Sequence, residues 1–174
     1  MMTDKQNVRV GILMGSDSDW PKIKAAAMAL DEFQIGYEVQ AISAHRTPEL
    51  AARYAATAQQ RGISVLIAAA GGAAHLAGVC AAHTILPVIG IPVPTDLAGG
   101  LDSLLSTVQM PGDVPVATVG AGMGGPRNAG LLAVQILALA DSALQERLLQ
   151  FKQSLVEKVK RRNQNLQTQI KSEK

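Results

Sequence analysis

The chain has 174 residues and a formal net charge of +2, with 48% hydrophobic and 17% charged residues. This length suits one domain, and so apolar a composition predicts that some surface is hidden in a homo-oligomer. Few aromatic side chains are available to stack on bases, and the basic residues cluster in the last turns, so nucleic acid is excluded as the expected partner. No apolar stretch reaches membrane-spanning length.

Cysteine usage and the N-terminus predict a cytoplasmic protein. Cys80 is the single cysteine, which excludes an internal disulfide and fits a reducing compartment. Residues 1–7 are polar and carry no signal-peptide pattern. Neither feature suggests a membrane partner.

Five apolar runs, each followed by a helical pattern, predict five β/α units. Such units form a parallel sheet covered by helices on both faces. We expect the middle runs at the centre of the sheet because they lack polar alternation. The predicted strands lie at about 8–14, 37–42, 64–70, 87–92 and 115–119.

The chain from Asp141 onward is predicted to be helical only. Its apolar stripe must dock on the same domain or on a neighbouring subunit, and the sequence leaves both options open. We therefore predict a single domain over 1–174, with a core at about 8–140 and a helical extension at about 141–174. The stripe comprises Leu144, Leu148, Phe151, Leu155 and Val159.

The loop at 15–19, Gly-Ser-Asp-Ser-Asp, follows the first strand and precedes a helix. Its hydroxyls and free N–H groups suit a phosphate, and Asp19 suits a ribose diol. The same residues also suit a structural helix cap by Ser18 or Asp19.

The segment Ser43–Pro48 follows the second strand. His45 has a side chain that titrates near neutrality, and Arg46 beside it can grip a carboxylate or phosphate. Thr47 and Pro48 are predicted to cap and open a helix. The pair predicts acid/base chemistry on an anion, although a solvated histidine beside a helix cap is the alternative.

The third loop, Gly71 to Leu76, lacks side-chain bulk before His75, so a ligand can lie against its backbone. A structural His75 is the alternative. Cys80 and His83 follow at spacings that match no common zinc site, so we predict no metal. The Gly120–Gly125 run has dinucleotide-binding spacing but follows the last strand, and we predict small-residue packing there, before a helix that starts at about Asn128.

Six segments in order resemble the class I PurE family, the 5-(carboxyamino)imidazole ribonucleotide mutases of purine biosynthesis. They are MGSDSDW at 14–20, SAHRTP at 43–48, AGGAAHLAG at 70–78, DSLLS at 102–106, VQMPGDVPVAT at 108–118 and NAGLLAVQIL at 128–137. The resemblance covers residues 8–140. It implies a flavodoxin-like three-layer αβα sandwich, an octamer with shared active sites, and no metal or organic cofactor.

The resemblance also implies residue roles. His45 would carry the proton that the reaction moves. Ser16, Ser18 and Arg46 would hold the substrate phosphate, and Asp19 the ribose hydroxyls. The imidazole and migrating carboxylate would lie against Ser43, Gly71, Ala74, His75 and Leu76.

The sequence departs from the family pattern at two places. Ala77 stands where a proline is usual, and the Gly122–Arg127 loop is richer in glycine than usual. Two other functions stay open at this point: direct carboxylation of aminoimidazole ribonucleotide by carbon dioxide, and a nucleotide-binding module without catalysis.

Overall fold

The computed structural model describes residues 8–173. The polar segment 1–7 therefore lies outside the described residues. Two compact units emerge, one ending at Leu137 and one beginning at Ala138. The predicted single domain is not tested by this division and stays a prediction.

The first unit is built on a five-stranded parallel sheet with strand order β2-β1-β3-β4-β5. This is the flavodoxin-like order, and it confirms the predicted fold class. The strands are β1 (Val8–Met14), β2 (Gly36–Ala41), β3 (Val65–Gly71), β4 (Val88–Val93) and β5 (Ala117–Thr118).

The last strand is shorter than the predicted 115–119. Only Ala117 and Thr118 of β5 pair with β4, opposite Ile89 and Gly90. Pro115 has no backbone N–H to donate to a ladder, so the pairing begins after it.

Seven α-helices occur in the described residues. The short α4 begins directly after His75, and α6 begins three residues before the predicted Asn128. Single turns of 3-10 helix lie at Asp17–Asp19, Gln59–Arg61 and Leu97–Gly99. The α-helices are α1 (Trp20–Ile23), α2 (Ala25–Glu32), α3 (Pro48–Ala58), α4 (Leu76–Ala81), α5 (Leu101–Val108), α6 (Gly125–Ala138) and α7 (Ser142–Ser172).

The central strands are buried on both faces, as predicted. Leu66 of β3 belongs to a core cluster with α3 and α4, and Ile67, whose side chain points to the other face, is also fully buried. In the part of the chain described, no helix is both long and apolar enough to cross a membrane.

Gly90 brings α5 close to the sheet. A Cβ atom at this position would collide with the Thr107 methyl group of α5 and would lie 3.0 Å from Val116 Cγ1. Thr107 is itself buried, and its hydroxyl donates to the Ser103 carbonyl at 2.7 Å. The missing side chain therefore sets how closely α5 lies on β4.

We expect Gly90→Ala to lower the free energy of unfolding by about 1–3 kcal/mol, the usual cost of overpacking a core. Denaturant unfolding followed by circular dichroism measures the change. Gly112→Ala is the matched control, because nothing lies within 4 Å of a Cβ at that loop position. Equal stability of Gly90→Ala and the control would show that α5 moves away freely.

Candidate active site

A cavity of about 460 Å³ lies at the carboxyl ends of β1, β2 and β3. β1 pairs with both other strands, so the loops after all three strands reach the same edge of the sheet. Open α/β sheets bind ligands at this place, where the strand order reverses. The cavity is lined by Gly15, Ser16, Asp19, Ser43, Ala44, His45, Arg46, Ala70, Gly71, Ala73, His75 and Leu76.

Two histidines meet at the cavity. His45 Nε2 and His75 Nδ1 are 2.9 Å apart and share a hydrogen bond, with the rings edge to face at a centroid distance of 5.0 Å. His45 follows β2 in a turn, and His75 directly precedes α4, so two separate β/α loops supply the pair. Which of the two nitrogens donates therefore depends on the tautomers of both rings.

Arg46 is held in place by its own loop and by the loop after β1. Its backbone N–H and its Nε both donate to Ser43 Oγ, at 3.2 and 3.4 Å. Its Nη2 donates to the Gly15 carbonyl at 3.2 Å. These bonds fix the guanidinium at the cavity wall, and its other N–H groups remain suited to an anion.

Thr47 does not cap α3 with its side chain, contrary to the sequence prediction. Its hydroxyl donates to the Ser43 carbonyl at 2.9 Å instead, and its backbone N–H donates to the same oxygen at 2.8 Å. This tight turn holds Ser43 and Arg46 together. Pro48 opens the helix, as predicted.

The loop after β1 brings hydroxyls and carboxylates together. Ser16 Oγ lies 2.8 Å from Ser18 Oγ and accepts from the Ser18 N–H at 3.3 Å, so Ser16 is the side-chain cap of the short helix there. Burial raises the pKa of Asp19, against the opposing effects of nearby Lys22 and of a hydrogen bond with the Ser16 backbone. An Asp19 carboxyl at the cavity wall is thus less acidic than usual.

Hydrogen bonds from α5 clamp the third loop, the loop after β3, although no local sequence pattern predicts this contact. The Gly72 N–H donates to Ser103 Oγ at 2.9 Å, and Ser103 Oγ donates to the Val93 carbonyl at 2.7 Å. Ser106 Oγ donates to the Gly72 carbonyl at 3.2 Å. Ser103 is fully buried, so its hydroxyl ties the loop after β3 to the end of β4.

Asp102 supports this clamp. Its Oδ1 accepts from Thr95 Oγ1 at 2.6 Å and from the Ser103 N–H at 2.8 Å. The hydrogen bond from Thr95 is the largest cause of a lowered Asp102 pKa, and the bonds from Ser103 act in the same direction. The ionised carboxylate therefore joins the loop after β4 to the start of α5.

Eight of the ten residues predicted for the site line the cavity, and two do not. Ser18 is exposed and reaches the site through its contact with Ser16, whereas Ala74 is buried beneath the loop. Gly15 was not among the ten, although its carbonyl accepts from Arg46. The only sequence signal for the Ser103 clamp was the DSLLS motif at 102–106. Nothing in that motif indicates that Ser103 contacts Gly72.

Within residues 8–173, no three His, Cys, Asp or Glu side chains gather as a metal site. Cys80 is buried, and that burial raises its pKa to about 12. A thiol so weakly acidic is a poor nucleophile. The cavity thus combines a hydrogen-bonded histidine pair, an arginine and hydroxyl groups, an arrangement that can bind an anion and transfer a proton beside it.

A sequence model of the AIR carboxylase family matches residues 9–158. The chain is 56% identical over 159 residues to a Mycobacterium tuberculosis protein named N5-carboxyaminoimidazole ribonucleotide mutase, covering 91% of this chain and 90% of that one. A Bacillus subtilis protein of the same name is 58% identical over 139 residues, covering 80% and 86% of the two chains.

Solved structures also resemble the chain. The crystal structure of Treponema denticola PurE superposes with a TM-score of 0.78 at 30% identity, covering 86% of this chain and 92% of that one.

We expect Ser103→Ala to reduce the free energy of unfolding by about 1–3 kcal/mol, because it leaves the Gly72 N–H and the Val93 carbonyl without their shared partner. Ser154→Ala is the control, since its hydroxyl bonds to the nearby Phe151 carbonyl within an exposed helix. Denaturant unfolding measures both variants. Equal losses would mean that the clamp adds nothing beyond an ordinary serine contact.

A lowered pKa means that folding favours the ionised Asp102, so its contribution to stability is complete above the unfolded pKa of about 4 and is lost as pH falls through the lower folded value. We expect Asp102→Asn to lose less stability than the wild type between pH 6 and pH 3. Thr95→Val removes the hydrogen bond that is the main cause of the lowered Asp102 pKa, so it should also reduce the pH dependence of stability. Thermal unfolding across this range measures it, and parallel curves for all three proteins would contradict the assignment.

Proposed function

The chain belongs to the AIR carboxylase family, and we propose that it converts 5-(carboxyamino)imidazole ribonucleotide into 4-carboxy-5-aminoimidazole ribonucleotide, with His45 as the proton carrier. Membership confirms the family that the six motifs predicted. The observation that carries the proposed mechanism is the 2.9 Å contact between His45 Nε2 and His75 Nδ1 at the wall of the cavity.

The reaction moves a carboxylate from an exocyclic nitrogen to the adjacent ring carbon. His45 first donates a proton to that nitrogen, the N–C bond breaks, and carbon dioxide is released into the cavity. The ring carbon then attacks the carbon dioxide, and His45 removes the proton from that carbon. One proton is given and one is taken back, so the enzyme returns to its starting state.

Two physical effects accelerate this sequence. General acid/base help from a positioned side chain contributes about a hundredfold to ten-thousandfold. Holding carbon dioxide beside the ring adds a proximity effect, because recapture then no longer depends on a chance encounter. Water is not a reactant and no redox change occurs, so the proposal needs no metal or organic cofactor.

The proposed binding mode assigns the phosphate to Arg46, Ser16 and Ser18. The hydrogen bonds that hold Arg46 to Ser43 and Gly15 support this assignment, because an anchored guanidinium loses little freedom when an anion binds. Asp19 accepts from the ribose hydroxyls. Its raised pKa fits a carboxylate that is partly removed from water and gains hydrogen bonds from a bound diol.

The proposed base pocket lies between the loops after β2 and β3. Ser43, Gly71 and Leu76 line the wall near the imidazole and the migrating carboxylate, and the buried Ala74 shapes the loop beneath. His75 contacts His45, so we assign to it the orientation of the His45 ring and the choice of its tautomer. The clamp from Ser103 supports this arrangement by holding Gly72.

We also propose a cytoplasmic homo-oligomer, an octamer by family resemblance, with sites shared between subunits. Exposed apolar side chains on α5 support an interface close to the site. Leu101, Leu105 and Val108 are each about half exposed and recur at helical spacing on this helix, which also carries the clamp.

Direct carboxylation of aminoimidazole ribonucleotide is the second candidate, because the family description itself names an AIR carboxylase. The same histidine and the same cavity serve both reactions. A binding module without catalysis is the third candidate, and the histidine pair gives no support to it.

The deciding assay follows ultraviolet absorbance with synthetic 5-(carboxyamino)imidazole ribonucleotide, beside aminoimidazole ribonucleotide plus bicarbonate, both without ATP or added metal. We expect rapid conversion of the first substrate and slow conversion of the second. The reverse preference would establish direct carboxylation. Inactivity with both substrates, from a folded protein, would leave only a binding role.

We expect His45→Asn to fold normally and to lose more than a hundredfold in kcat, because asparagine cannot carry the proton. His83→Asn is the matched control. The His83 ring bonds to the Val79 carbonyl at 2.8 Å and lies outside the cavity, so this variant should keep its rate. Near-normal turnover by His45→Asn in the same assay would remove His45 from the mechanism.

A further inference from the structure

The distal part of α7, residues 152–173, is exposed to solvent along its whole length. Every residue from 152 to 173 is exposed, over a length of about 33 Å at 1.5 Å per residue. Helices depend mostly on packing of an apolar face, and isolated ones are marginal in water. A helix of this length with apolar side chains facing solvent therefore calls for a partner.

Four of the five exposed apolar residues in this part of α7 follow a heptad repeat, and the fifth, Leu155, lies beside it. Val156, Asn163 and Ile170 are seven residues apart, and Val159 and Leu166 lie three residues after the first two. The four apolar members are 40% to 65% exposed. This alternation of three and four is the spacing of the a and d positions in a coiled coil. Lys152 occupies the preceding d position, which places the start of the seam at Val156.

We propose that residues 156–170 of α7 pair with the same residues of a second copy as a parallel two-stranded coiled coil. The residue types at the a positions carry this choice. Valine and isoleucine at a combined with leucine at d, as at Leu166, favour two strands, and a single asparagine at a fixes register and strand number. In a parallel, in-register pair Asn163 meets Asn163, and each amide has a partner for its hydrogen bonds.

The alternative antiparallel arrangement is disfavoured by the same asparagine. There an a residue packs beside d residues of the other helix, so Asn163 would be buried against valine or leucine without a partner. The flanking residues also tolerate the parallel pair. Leu155 would lie beside Lys160, and Arg162 beside Gln167, so no like charges face each other across the seam.

The seam lies almost wholly beyond the part shared with the family model, which ends at residue 158. Val159, Asn163, Leu166 and Ile170 therefore lie outside the family model. Two heptads are too few for a strong free coiled coil. Attachment to an oligomer raises the effective concentration of one α7 near another and makes a short seam sufficient.

Disulfide trapping in the full-length protein tests the proposal. Val156→Cys and Ile170→Cys lie at a positions two heptads apart, and Thr168→Cys, on the outer face, is the matched control. Cys80, the only native cysteine, is buried. After mild oxidation, we expect both a-position variants to run as dimers on a denaturing non-reducing gel, and the control to stay largely monomeric.

Each other result would overturn the proposal. Dimers from only one of the two a-position variants would indicate an antiparallel or shifted pair. Equal cross-linking of Thr168→Cys would indicate random collision, and no cross-linking in any folded variant would rule out the parallel, in-register pair. These readouts do not require the proposed catalytic activity.

Discussion

The parallel pairing of β1 with both β2 and β3 is the constraint on which the candidate site depends. It brings the ends of the three strands to one edge, where each loop contributes one kind of group: hydroxyls after β1, a histidine and an arginine after β2, and a histidine beside glycines after β3. No single loop contains both histidines of the hydrogen-bonded pair. Because β1 lies between β2 and β3, its register with both neighbours sets how the three loops meet.

Much of this arrangement was predictable because it depends on local patterns. Continuous apolar runs identify buried parallel strands, and the loops after them must share one edge, so His45 and His75 could be expected to lie near each other. Their direct hydrogen bond could not, because it depends on the exact rotation of two loops. The start of β5 was predicted too early because the apolar run conceals the effect of Pro115 on the ladder.

The Ser103 clamp shows a second limit of sequence reasoning. Ser103 and Gly72 are 31 residues apart, and a serine inside an amphipathic helix normally indicates only a polar surface position. It is buried here because Gly90 lets α5 approach β4 closely enough for its hydroxyl to reach the loop after β3. Gly90, Ser103 and the loop after β3 therefore depend on one another, although the local sequence around each of them does not predict its contact with the other two.

In the proposed mechanism, the Ser103 clamp helps to retain the carbon dioxide that the substrate releases. A released molecule must stay beside the ring, so the proposed reaction requires a narrow, rigid wall more than it requires many catalytic groups. Glycines and alanines have little or no side chain, so the proposed substrate can lie close to the backbone of the wall. Glycines, however, also make a loop flexible. Bonds from Ser103 and Ser106 to both sides of Gly72 remove that freedom without adding bulk inside the cavity.

His45 and His75 remain exposed in a single chain, so full enclosure needs cover from the substrate or from a neighbouring subunit. The exposed apolar face of α5, on the helix that holds the clamp, is well placed in the fold to couple such cover to the rigidity of the site.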